Sequence, residues 1–247
     1  MTPSILTLIA AFLVMVLAGL TQGLTGFGYA LVSVPLLIIF LSPKVVVPVV
    51  VLHCVLCNAL VLLEVWRWAD LKRIWPLMLA ATIGTPLGTY LLVVLDVNAL
   101  KVLMGLVIAL FGLAFLVGFR KEIRNERLAC GPLGLVSGLL SGSTGMAGPP
   151  IVLFFANQGM DKQSFRANLV AYFLVLNLVT IPGHLLGGLV SETVVLYTLL
   201  LLPGLVLGTV AGIRLAGRVD EKRFRTVSLL VVTAAGLVSL ASGLQLL

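Results

Sequence analysis

Apolar residues fill this chain in eight stretches separated by short polar loops: 4–41, 45–65, 74–95, 99–119, 131–160, 164–186, 193–213 and 226–247. Most are about as long as the ~20 residues a helix needs to cross a bilayer, so the pattern predicts an all-helical chain of membrane spans. The first and fifth stretches are longer, and glycines break each near its middle. Unwound backbone is tolerated at membrane depth only where protein buries it or where it lines a polar cavity, so the two breaks mark the expected site.

The breaks match each other. Gly19-Leu20-Thr21-Gln22-Gly23-Leu24-Thr25-Gly26-Phe27-Gly28 lies over Gly138-Leu139-Leu140-Ser141-Gly142-Ser143-Thr144-Gly145-Met146-Ala147 at an offset of 119, and Asn58 lies over Asn177 at the same offset. At an offset of 124, Gly84-Thr85-Pro86-Leu87-Gly88 lies over Gly208-Thr209-Val210-Ala211-Gly212, and Asp96 over Asp220. The chain reads as a duplication: residues 1–119, a linker at 120–130, and residues 131–247, each half one broken helix and three spans. The paired Gly-x-x-x-Gly stripes are packing surfaces for helices inside the protein or, failing that, between two copies of it.

Composition agrees with a membrane class. Hydrophobic residues make up 60% and charged residues 10% of 247, far from the balance of a soluble domain. Lys44 is the sole Lys, Arg, Asp or Glu before Glu64. No basic residue precedes the first stretch and no cleavage-type end follows it, so it does not read as a cleavable signal. The net charge of +7 sits in loops beside spans, which favours a topogenic role over nucleic-acid binding. Cys54, Cys57 and Cys130 offer no disulfide framework, and the Cys-x-x-Cys pair lacks the polar neighbours a metal or redox centre needs. No metal or cofactor is expected.

Basic residues decide between two topologies. If both broken stretches cross the membrane, Lys and Arg divide almost evenly between its faces. If both turn back as re-entrant hairpins, Arg67, Lys72, Arg73, Arg120, Lys121, Arg124, Arg127, Lys162, Arg166, Arg214, Arg218, Lys222, Arg223 and Arg225 share one face, and only Lys44 and Lys101 lie opposite. The positive-inside rule selects the hairpins and makes the crowded face cytoplasmic, with both termini periplasmic. Each half then crosses an odd number of times, which gives an inverted repeat. Arms of about 12 helical residues suit re-entry in the second hairpin, whereas the first, with arms of about 17 and 13, leaves two crossings open.

Two inverted tips would converge near mid-membrane, each followed by a new helix near Gly28 and Gly148. Their unpaired N–H groups and positive dipole ends favour an anion without a buried Lys or Arg. The candidate substrate-binding residues are Gln22, Gly23, Thr25, Gly26 and Gly28 in the first break, Ser141, Gly142, Ser143, Thr144, Gly145 and Gly148 in the second, and Asn58 and Asn177, whose amides need partners in an apolar setting. His53, over Tyr172 in the repeat, is either a proton relay or a neutral histidine bonded to a neighbouring helix. Glu64 is placed among interfacial charges with Arg67, and His184 in a solvated external turn.

At these motifs the chain resembles the TauE/SafE family of sulfite and organosulfonate exporters. Gly-Leu-Thr-Gly-Phe-Gly at 23–28 with Pro35-Leu36-Leu37 is similar to the family's first motif, and Ser-Gly-Ser-Thr-Gly-Met-Ala-Gly-Pro-Pro at 141–150 to its second. Many members carry glycine runs where this chain has Phe27, Met146 and Ala147. The resemblance implies a multi-pass permease of the bacterial inner membrane, moving sulfite or a sulfonate such as sulfoacetate outward by alternating access. A carboxylate or other small-anion carrier coupled to protons or sodium is the alternative. An intramembrane hydrolase finds no acid near its available serines, and a channel would lack saturation. A monomer and a homodimer both remain open.

Overall fold

The computed structural model describes residues 5–116, 126–218 and 220. Nine α-helices and no strand occur among them: α1 (Ile5–Thr25), α2 (Tyr29–Leu37), α3 (Pro43–Val65), α4 (Leu71–Val94), α5 (Val97–Leu116), α6 (Glu126–Thr144), α7 (Gly148–Asn157), α8 (Lys162–Leu186) and α9 (Glu192–Ala216). A 3-10 turn at Trp66–Trp68 follows α3. The expected span at 226–247, the last three residues of the expected span at 99–119 and linker residues 120–125 lie outside the described residues.

Five helices, α1, α3, α4, α8 and α9, are long and apolar enough to cross a membrane. Their outward faces are apolar too, as lipid requires: Leu13, Leu79, Leu199 and Leu207 are all more than half exposed. Polar side chains cap the helices. Asp161 accepts from the Gln163 and Ser164 N–H groups at the start of α8, and these contacts, the Ser164 hydroxyl foremost, hold its carboxyl below the usual range. Lys44 Nζ donates to the Val93 carbonyl at the end of α4 over 2.8 Å, and Lys162 Nζ to the Ala216 carbonyl at the end of α9 over 2.7 Å. Each pair falls one residue short of exact correspondence at the offsets of 119 and 124, and each lysine satisfies an orphan carbonyl at a helix C-terminus.

Glycine decides the packing. A Cβ on Gly19 would stand 2.7 Å from the Leu205 carbonyl oxygen and one on Gly23 2.3 Å from that of Thr209, so α1 lies backbone to backbone on α9. One on Gly138 would stand 2.0 Å from the Ala81 oxygen and one on Gly142 2.4 Å from that of Thr85, so α6 lies in the same way on α4. The partners correspond at the offsets of 119 and 124. From the other side, Gly84 and Gly88 meet Leu135 and Leu139 of α6, while Gly208 and Gly212 meet Val16 and Leu20 of α1. Each half therefore lays its broken helix on the other half's third long helix, and both Gly-x-x-x-Gly stripes are spent on internal contacts.

The broken helices differ from the expected arms. Instead of arms of about 17 and 13 residues in the first and about 12 each in the second, α1 has 21 residues and α2 nine, and α6 has 19 and α7 ten. Helix α1 runs through Gly19 and Gly23 because those glycines admit α9. It ends only where Gly26 (φ 79°) and Gly28 (φ 106°) require the left-handed region. Helix α6 begins at Glu126, inside the segment read as linker, where the Glu126 carboxylate takes two hydrogen bonds from the Arg73 guanidinium at 2.6 and 3.0 Å.

Candidate binding site between the two helix breaks

Both breaks are held by the same device. The Thr25 hydroxyl lies 2.8 Å from the Thr21 carbonyl and accepts from the Phe27 N–H at 3.2 Å. Its counterpart Thr144 lies 2.7 Å from the Leu140 carbonyl and accepts from the Met146 N–H at 3.2 Å. Gly26 and Gly145 (φ 71°) each turn the chain in the left-handed region. Ala147 stands over Gly28 in the repeat but has φ −69°, which any residue adopts, so the lost glycine there costs nothing.

A broken helix also leaves a C-terminus with unpaired carbonyls, and α8 supplies the donors. The Arg166 guanidinium, 1% exposed, donates to the Gly23 carbonyl at 2.7 Å, with the Glu64 carboxylate 3.7 Å away. Near the other end of α8, His184 Nε2 donates to the Gly142 carbonyl at 3.2 Å. Gly142 is Gly23's counterpart. The expected solvated turn at His184 is thus corrected: α8 continues through Pro182-Gly183 to Leu186, and His184 is buried at 1% exposure. The continuation follows from Gly183, whose missing side chain lets Thr89 of α4 approach. Glu64 likewise faces Arg166 rather than Arg67. Arg166 counted only as a loop charge in the sequence; the Asp161 cap, which starts the helix at Lys162, was the signal that set it a turn inside.

Between the breaks lies a partly open pocket lined by Gln22, Phe27–Leu31, Cys54, Asn58, Gly145–Gly148, Phe173, Leu176 and Asn177. None of these is Lys, Arg, Asp or Glu. Of the candidate residues, Gln22, Gly28, Asn58, Gly145, Gly148 and Asn177 meet here. Gly23 and Gly142 instead pack on α9 and α4, Gly26 packs on Arg166, and Thr25 and Thr144 hold the turns. Ser143 donates to the Leu139 carbonyl at 2.7 Å. Ser141 faces Thr180 at 3.0 Å; since the Thr180 hydroxyl donates to the Leu176 carbonyl, Ser141 is the donor of that pair. Phe27 and Met146, absent from the expected site, are equivalent positions that both line the pocket.

Gln22 organises its side of the pocket. Its Oε1 accepts the first N–H of α2, that of Tyr29, at 3.1 Å, and its Nε2 donates to the Gly26 carbonyl at 3.1 Å and to Asn58 Oδ1 at 2.7 Å. Ala30 and Leu31, whose amides are the other first-turn donors of α2, line the pocket. Behind Tyr29, His53 Nε2 donates to the Thr198 carbonyl at 2.9 Å, and Nδ1 lies 2.9 Å from the Tyr29 hydroxyl, which also faces Met15 Sδ at 2.9 Å. Both ring nitrogens are engaged, and the histidine ties α2 to α9 through α3.

The sequence model of the sulfite exporter TauE/SafE family matches residues 11–239, nearly the whole chain and both breaks. The chain belongs to the TauE/SafE family. That family is one of membrane transporters and not of enzymes, so this is a multi-pass membrane protein with a small anion as cargo. No curated protein and no solved structure matches the chain. Within the TauE/SafE frame, the two glycine motifs are the two breaks, and the departures Phe27 and Met146 fall on the pocket wall.

Proposed function

We propose that this TauE/SafE protein binds one small sulfur oxyanion, sulfite or an organosulfonate, in the pocket between the breaks and carries it across the bacterial inner membrane by alternating access. The observation that carries the reading is the convergence of two helix N-termini, from the two halves, on one pocket with amide side chains and no formal charge. Positive dipole ends at Gly28 and Gly148 attract the anion. The opposing negative ends, the C-termini of α1 and α6, are capped by Arg166 and His184.

The two breaks enter as re-entrant hairpins from opposite faces, in an inverted repeat. The reciprocal glycine contacts of α1 on α9 and of α6 on α4 support that relation, as does the one-sided distribution of Lys and Arg. Transport runs outward, because an inside-negative potential contributes about 2.3 kcal/mol per 100 mV to expelling a monoanion. Gln22, Asn58, Asn177 and the glycine turns form the binding residues, and His53 stays neutral as a strut. Counterflow in liposomes tests the reading: preloaded sulfite or sulfonate should accelerate saturable entry of labelled anion, and entry that rises linearly without saturation would refute a carrier.

A further inference from the structure

Asn58 and Asn177 are equivalent in the two halves and both line the pocket, yet they present opposite polarity to it. The orientation of each amide is forced by backbone groups that play a single part in hydrogen bonding. The Tyr29 N–H can only donate, so Gln22 must turn its Oε1 there. Its Nε2, already facing the Gly26 carbonyl, therefore meets Asn58 through the Asn58 oxygen. What Asn58 has left is Nδ2, a donor. On the other side the Phe173 carbonyl can only accept, so Asn177 must spend Nδ2 on it at 2.7 Å. What Asn177 has left is Oδ1, an acceptor. Neither leftover atom has a hydrogen-bond partner among the described residues.

The asymmetry arises because the repeat places Gln22 in the first break but Ser141 in the second. Ser141 bonds Thr180 and leaves Asn177 to its own helix. An acceptor in an anion pocket repels oxyanion oxygens and stays desolvated unless the ligand brings it a proton. We infer that the cargo is an anion that also carries a hydrogen-bond donor, its oxygens toward Asn58 and the first turn of α2 and its O–H or N–H toward Asn177 Oδ1. Hydrogen sulfite and hydroxy- or amino-alkanesulfonates meet both requirements; the sulfite dianion and plain alkanesulfonates do not. This rests on the anion reading above and narrows it.

The test compares three sulfonates on the purified full chain: 2-hydroxyethanesulfonate, ethanesulfonate and 2-methoxyethanesulfonate. The hydroxy compound should bind about tenfold tighter or better than either of the others, against the trend of their apolar area. Asn177→Leu should collapse that ratio, and Asn177→Ala serves if the leucine variant does not fold. Equal or tighter binding of ethanesulfonate, or a ratio that survives at position 177, overturns the inference while the anion reading stands. If none of the three binds, this inference falls, and binding of sulfite to the same protein decides separately whether the anion reading stands.

Discussion

The Arg166 guanidinium donates to the Gly23 carbonyl across 2.7 Å, closing the end of one helix from near the start of another in the opposite half of the chain. A cation buried this fully is costly unless paired and bonded, and here it meets a helix C-terminus and Glu64 together.

Removing Arg166 should therefore destabilise the first break more than a loop arginine would. Arg166→Met leaves the Gly23 carbonyl and Glu64 without their donor, and the expected loss is about 2–3 kcal/mol. Arg166→Lys should recover part of it. Thermal unfolding in detergent measures both, with Arg67→Met, at an exposed position, as the neutral comparison.

The reciprocal glycine contacts predict a paired result. Gly88→Ala would put a Cβ 2.1 Å from the Leu139 oxygen and Gly212→Ala one 2.3 Å from that of Leu20. Both should cost at least about 2 kcal/mol or abolish monodisperse protein. Gly131→Ala meets nothing within 4 Å and should be neutral or slightly stabilising, since alanine is the better helix former by about 1 kcal/mol. Size-exclusion profiles and melting temperatures distinguish them.

Orientation is open to a direct check. Native Cys130 makes a poor reporter because it is only 4% exposed, whereas Leu128 and Leu186 are 74% and 91% exposed and lie at the base of α6 and the end of α8. In a cysteine-free background, Leu186→Cys should react with an impermeant thiol reagent on intact cells and Leu128→Cys only after permeabilisation. The reverse pattern would turn the protein over, and labelling of both from outside would remove the re-entrant arrangement.

Cys54 gives a reporter inside the pocket. With Cys57 and Cys130 replaced by alanine, a small thiol reagent should modify Cys54 slowly, and saturating sulfite-type anion should slow it further, by about fivefold or more at ten times Kd. Asn58→Ala should remove most of that protection. Modification indifferent to anions would place the cargo elsewhere.

Much of this was legible in the chain because apolar runs, charged loops and the register of two glycine motifs each speak of one thing. The glycine offsets marked the repeated Gly-x-x-x-Gly stripes as packing surfaces, though not which helix each would meet. Arm lengths were not legible, since Gly19 and Gly138 read locally as helix breakers and become helix builders only when another backbone lies against them. Ser143, Thr25 and Thr144 were singled out by residue type, and each bonds the backbone of its own helix, while Ser141 bonds Thr180. His184 misled for the same reason in reverse: Pro-Gly-His reads as a turn, and only Thr89, on a distant helix, keeps it in α8. Arg166 was hidden by its company, a basic residue beside a loop counting toward topology before it counts toward anything else.

The exchange of partners between halves has a consequence for biogenesis. Helix α1 leaves the ribosome well before α9, yet the surface it was shaped for, at Leu205 and Thr209, lies on that later helix. Until then its glycine stripe faces lipid or a chaperone, so the native bundle closes late and neither half should be stable alone. Two separately expressed halves should nevertheless find one another in the membrane, each completing what the other was born without.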